Sequence, residues 1–138
     1  MSDNEYSVKY PQPPADAVTL FNIKKIAENA MFIFNNKKDK LFRLGTQANR
    51  GLTLSLLEHD SAINSDAAVC LIDIIECSWC TQNDKNWVRF FNSSHQYFDV
   101  EFQTIGELWH VQKQLTDTFN AKLFVRVNGK LIPESQSK

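Results

Sequence analysis

Trp87-Val88-Arg89-Phe90-Phe91, Tyr97-Phe98-Asp99-Val100-Glu101-Phe102 and Thr104-Ile105-Gly106-Glu107-Leu108-Trp109 are the three stretches on which the reading of this chain turns. The first two alternate with the period of two that sends successive side chains to opposite faces of a sheet. In the second, Phe98, Val100 and Phe102 share one face while Tyr97, Asp99 and Glu101 share the other. Asn92-Ser93-Ser94-His95-Gln96 between them is turn chemistry, so the spacing predicts a hairpin. The period then changes. Thr104-x-x-Glu107 is a capping box, in which the threonine oxygen accepts from the backbone three residues on and the glutamate reaches back to the cap's own amide. Leu108, Val111, Leu115 and Phe119 follow at helical spacing, with Lys113, Gln114 and Asp117 between them. Burial of each such side chain contributes roughly 1.5–3 kcal/mol, so hairpin and helix are expected to dock through their apolar faces.

Working outward, Leu123 to Val127 alternates again and runs into Asn128-Gly129, the strongest short hairpin signal, with Lys130-Leu131-Ile132 returning to Pro133 as a last ribbon. Upstream, Val69 to Ile75 is the most continuous apolar run and reads as one central strand. Leu52, Leu54 and Leu56 alternate with Thr53 and Ser55 as a half-buried strand, after a polar loop bracketed by Gly45 and Gly51. Met31-Phe32-Ile33-Phe34 is apolar throughout, which suits a strand covered on both faces. Asn35 to Lys40 is its turn and Leu41 to Leu44 the returning strand. Asp16 to Ile26 reads as strand in preference to helix, and His59 to Asp66 as a mobile loop. The expected organisation is a flexible arm over residues 1–14 with Pro11, Pro13 and Pro14, one domain over 15–133, and a polar tail over 134–138.

The totals agree with a packed domain: 138 residues, 43% hydrophobic, ten phenylalanines. No apolar run reaches about 18 residues, the N-terminal residues lack a secretory pattern, and three cysteines are an odd number, so a cytoplasmic or nuclear setting is expected. A net charge of −1 argues against nucleic acid as a partner, although charge is unevenly spread. Residues 24–50 hold seven basic side chains against two acidic, and residues 51–110 nine acidic against two basic.

Three chemistries have candidate residues in the chain. Cys77-Ser78-Trp79-Cys80, with Cys70 and His95 nearby, has zinc or redox residue types, but in a strand Cys77 faces away from both Cys70 and Cys80. They are read as ordinary small apolar residues, with no cofactor expected. His59, His95 and His110 suggest no triad, and no phosphate-binding glycine loop is present, so catalysis is not expected. Lys37, Lys38, Lys40 and Arg43, with Lys24 and Lys25, could attract phosphate groups at an anionic membrane surface, the bland reading being a solvated turn. More suggestive is the wet face of the late hairpin, where Trp87, Phe91 and Tyr97 would form an apolar surface that a monomer rarely leaves uncovered.

This succession of antiparallel strands, a final hairpin and one amphipathic helix bearing Trp109 resembles the pleckstrin-homology superfold over about Asp16 to Phe119. The resemblance implies an α+β fold: a bent antiparallel barrel or sandwich of about seven strands, capped by one C-terminal helix, to which the 123–133 ribbon is an addition. It also implies a docking module whose partner is another protein or a second copy, or a lipid headgroup. Lys40 and Arg43 stand three apart, departing from the lipid-binding members' basic signature, so the expected interface is the aromatic one: Trp87, Phe91 and Tyr97 with Phe124 and Arg126 of the last ribbon.

Overall fold

A computed structural model describes residues 17–22, 26, 30–47, 51–57, 70–81 and 85–133. The predicted arm, the tail and the 59–66 loop lie outside the described residues. Ten strands and one helix follow in the order β1 (Ala17–Leu20), β2 (Met31–Asn35), β3 (Leu41–Gln47), β4 (Gly51–Leu57), β5 (Cys70–Leu71), β6 (Ile74–Cys80), β7 (Asn86–Asn92), β8 (Tyr97–Phe102), α1 (Ile105–Phe119), β9 (Lys122–Val127) and β10 (Lys130–Pro133). All described pairings are antiparallel. The strands form a six-stranded sheet, β10-β9-β1-β6-β7-β8, and a four-stranded sheet, β2-β3-β4-β5.

The hairpin and helix form as their spacing predicts. β7 and β8 pair Val88 with Val100 and Phe90 with Phe98, and Val88, Phe90, Val100 and Phe102 are buried. Thr104 caps α1 by accepting from the Glu107 amide at 3.1 Å. The reciprocal bond differs by one residue: the Glu107 carboxylate accepts from the Gln103 amide at 3.2 Å, not from the cap's own. Leu108, Val111, Leu115 and Phe119 are all buried, and Asn120 ends the helix in the left-handed region, φ 54°.

Five inward phenylalanines meet in the middle of the molecule. Phe34 of β2 lies within 5.3–6.3 Å, ring to ring, of Phe32, Phe42 and Phe90, and 6.0 Å from Phe102. Aromatic pairs at such distances add roughly 0.5–1.5 kcal/mol to what burial alone supplies. The two sheets and α1 thus share one core. Trp79 and Trp109 meet at 6.5 Å, and Phe21 meets Phe119 edge-on at 6.4 Å.

Several expectations are corrected. About seven strands were expected and ten are described, and the two sheets do not close into a barrel. The 123–133 ribbon is no appendage: β9 pairs with β1 from Ala17↔Val125 to Leu20↔Lys122, so strands from both ends of the chain complete the larger sheet. The 69–75 run is not one strand. Asp73, at φ 60°, breaks it into β5 of the small sheet and the start of β6 in the large one. Each piece sends one side chain inward, Leu71 from β5 and Ile74 from β6, while Cys70 and Ile72 are exposed, so the apolar run does not mark one buried strand. Met31 and Ile33 are 57% and 45% exposed, because β2 is an edge strand with only Phe32 and Phe34 turned inward. Conversely Thr53 and Ser55 are buried, so β4, a central strand, is covered on both faces; Thr53 Oγ1 donates to the Gly45 carbonyl at 3.2 Å. Gly45 itself belongs to β3 and bounds no loop.

Candidate functional site

Register fixes what lies on the far side of the large sheet from the core. Reading across from β10 to β8, one row runs Pro133, Phe124, Val18, Ser78, Arg89, Asp99. The row on one side runs Lys122, Leu20, Glu76, Phe91, Tyr97 across β9, β1, β6, β7 and β8. The row on the other has Leu131 and Arg126 on β10 and β9, and Cys80, Trp87 and Glu101 on β6, β7 and β8. Eight of the ten phenylalanines belong to the core or pack against it; the other two, Phe91 and Phe124, stand on this outer face.

At the β7–β8 end these side chains are organised around Arg89. Its Nε donates to Asp99 Oδ1 at 2.7 Å and its Nη2 to Oδ2 at 3.0 Å, a two-point ion pair between directly opposed residues. The guanidinium carbon lies 4.0 Å from the centroid of the Tyr97 ring and 5.2 Å from that of Trp87. Both distances fall within the range of cation–π attraction, roughly 0.5–2 kcal/mol each depending on desolvation. Phe91 extends the cluster, 6.0 Å from Tyr97. The hydrogen bonds that Arg89 donates to Asp99 hold its pKa above the ordinary value, so the cation is permanent. Tyr97 is nonetheless 53% exposed, while Trp87, Phe91 and Phe124 are half-buried and Arg126 is exposed.

Sequence reasoning found Trp87, Phe91 and Tyr97, and these come together. Phe124 and Arg126 share the face but stand on β9, with β1 and β6 between them and β7. Arg89 and Asp99 were missed as site residues. Their signal was present: Arg89 alternates between Trp87 and Phe91, and Asp99 follows Tyr97 by two, which places a cation and an anion on the same wet surface as the aromatics.

The lysine-rich turn is arranged differently. Asn36 Oδ1 accepts from the amides of Lys38 and Lys40 and shapes the turn. The Lys37 amide donates to the Glu101 carbonyl at 2.6 Å and its Nζ lies 3.3 Å from Glu101 Oε2, so the turn is tied to the end of β8. Lys38 and Lys40 remain exposed at the tip, whereas Arg43 is a half-buried member of β3 opposite Ile33 and Ser55. Lys24 and Lys25 lie outside the described residues.

The cysteines are dispersed as well. Cys77 faces the core and is fully buried, Cys80 is on the outer face beside Trp87, and Cys70 is exposed in the other sheet, where its Sγ accepts from Ser55 Oγ at 3.7 Å. Burial, with the nearby Glu76 charge, pushes the Cys77 thiol well up, so it stays protonated. Among the described residues no group of three or more His, Cys, Asp or Glu side chains converges as a metal site. Among them, too, no helix is long and apolar enough to cross a membrane. Compared with known protein families, with curated proteins and with solved structures, the chain matches none of them.

Proposed function

We propose that this chain is a non-catalytic protein-interaction module that docks a partner protein on the outer face of its six-stranded sheet. The observation that carries the reading is the Arg89 cluster: a permanent cation, held by Asp99, lies against Tyr97 and Trp87 on a face the core does not need. Trp, Tyr and Arg are the side chains that most often dominate binding energy at interfaces, and a preformed ion pair lowers the cost of ordering them. The bland explanation is cross-strand stabilisation, which for such pairs is roughly 0.2–1 kcal/mol each. It accounts for Arg89 and Asp99 but not for Phe91 and Phe124 on the same wet side.

The pleckstrin-homology-like reading belongs to this proposal. Two antiparallel sheets sharing a core with one helix that follows a hairpin support it; the strands contributed after the helix depart from it. The three free cysteines support a reducing setting, cytoplasmic or nuclear.

The test is recovery of the native complex from the protein's own cells, with Trp87→Ser/Phe91→Ser and Lys38→Glu/Lys40→Glu variants compared. The proposal expects the partner set to be lost with the first variant and kept with the second. The opposite pattern would move the function to the basic turn.

A further inference from the structure

The outer face is complementary to itself. Going along β9, the outward residues are Lys122, Phe124 and Arg126: cation, ring, cation. Level with them on β7 are Phe91, Arg89 and Trp87: ring, cation, ring. β9 and β7 stand symmetrically about the line between β1 and β6, the middle of the order β10-β9-β1-β6-β7-β8.

Resting on the docking reading above, we propose that the occupant of this face is a second copy of the same chain, bound face to face about a two-fold axis that runs parallel to the strands between β1 and β6. Such an axis lays one protomer's β9 over its partner's β7 and keeps every row in register. Lys122 then meets Phe91, Phe124 meets Arg89, and Arg126 meets Trp87, each contact occurring twice as isologous symmetry requires. Every one is a cation against a ring. The outermost columns bring Asp99 over Pro133 and Glu101 over Leu131, so no like charges are opposed there. Near the axis Glu76 comes over Leu20, one strand from Lys122, within reach of a long ammonium side chain.

Geometry and size allow it. Each of β7 and β9 lies about one and a half strand spacings, roughly 7 Å, from the axis, so the roughly 30° crossing of packed sheets displaces opposed side chains by only about 4 Å. Six strands with two or three outward residues apiece make a face of about 30 by 20 Å, on the order of 600 Å² per protomer, at the lower end of stable specific interfaces. Val18, beside the axis, is already covered at 2% exposed and adds no area, so contact falls to exposed Lys122 and Arg126 and half-buried Phe124 on β9 and to half-buried Trp87, Arg89 and Phe91 on β7.

The experiment is sedimentation velocity of the full chain from about 5 to 200 µM, with two variants: Lys122→Glu/Arg126→Glu, altering β9 alone, and Trp87→Ser/Phe91→Ser, altering β7 alone. Wild type is expected to be dimeric, and each variant alone to self-associate about 10- to 100-fold more weakly. Mixing the two variants is expected to restore part of the association, because the mixed dimer keeps one intact β9–β7 contact. A wild type that stays monomeric throughout overturns the dimer, as does a dimer that neither variant weakens, or variants that fail to complement on mixing. Thermal melts of both variants confirm folding. A monomeric wild type whose aromatic variant still loses its cellular partners would sink the self-association and leave the docking reading standing.

Discussion

The indole N–H of Trp79 donates to Thr19 Oγ1 at 2.9 Å inside the core and joins β6 to β1, whereas the indole N–H of the neighbouring Trp109 is buried without an acceptor among the described residues. Two tryptophans in one cluster therefore stand on opposite sides of the rule that buried polar groups are bonded. Thr19→Val keeps the shape but orphans the Trp79 donor, and should cost about 1–3 kcal/mol. Trp109→Phe removes a donor already unsatisfied, so part of its lost packing is offset and it should cost less than Trp79→Phe. Urea unfolding of the variants, at constant slope, measures both.

Gly51 and Gly106 separate backbone need from helix propensity. Gly51 starts β4 at φ 72°, and a Cβ there would come 2.9 Å from Asp73 Oδ1. Gly51→Ala should destabilise by about 1–2 kcal/mol. Gly106, in the first turn of α1, has its nearest such neighbour, Thr104 Oγ1, at 3.8 Å, so Gly106→Ala should stabilise by about 0.5–1 kcal/mol. Thr104→Ala should cost about 1 kcal/mol through loss of the cap. Thermal melts order the three.

The hairpin, the capped helix and the Asn128-Gly129 turn were legible because each is a local pattern: a period, a box, a pair of residues at positive φ. Asn128 and Gly129, at φ 52° and 82°, take up the conformation that the dipeptide signals. What could not be read was sheet membership. Met31 and Leu52 are both apolar, yet one sits on an edge and the other in the interior, because exposure depends on which strands pair and those pairings are long-range. The Ile72–Asp73 break was illegible for the same reason: an apolar run reads the same whether one sheet or two take it up. In the site, the aromatics were visible by alternation. The row that puts Phe124 level with Arg89 needed the β9–β1–β6–β7 registers, which span the chain from Val18 to Phe124.

The cysteines give a pH prediction. Burial raises the folded-state pKa of Cys77 above its ordinary 9.0, so above that pH the unfolded chain releases a proton that the folded chain retains. Stability contributed by the neutral thiol is therefore present below about pH 9 and falls as pH rises. Chemical denaturation from pH 7 to 10.5 should show the loss, and Cys77→Ala, less stable at neutral pH from the cavity it leaves, should show a shallower decline. In the native state iodoacetamide should label exposed Cys70 and spare Cys77.

The central claim, that the outer face of the six-stranded sheet is covered in the working protein, is read most directly by hydroxyl-radical footprinting of the native assembly against the isolated chain at high dilution. Trp87 and Tyr97 lie on the claimed surface, and buried Trp79 and Trp109 serve as internal controls. Docking on this face predicts strong protection of Trp87 and Tyr97 in the assembly, with the two buried indoles unchanged. Equal oxidation of Trp87 and Tyr97 in both samples would contradict it.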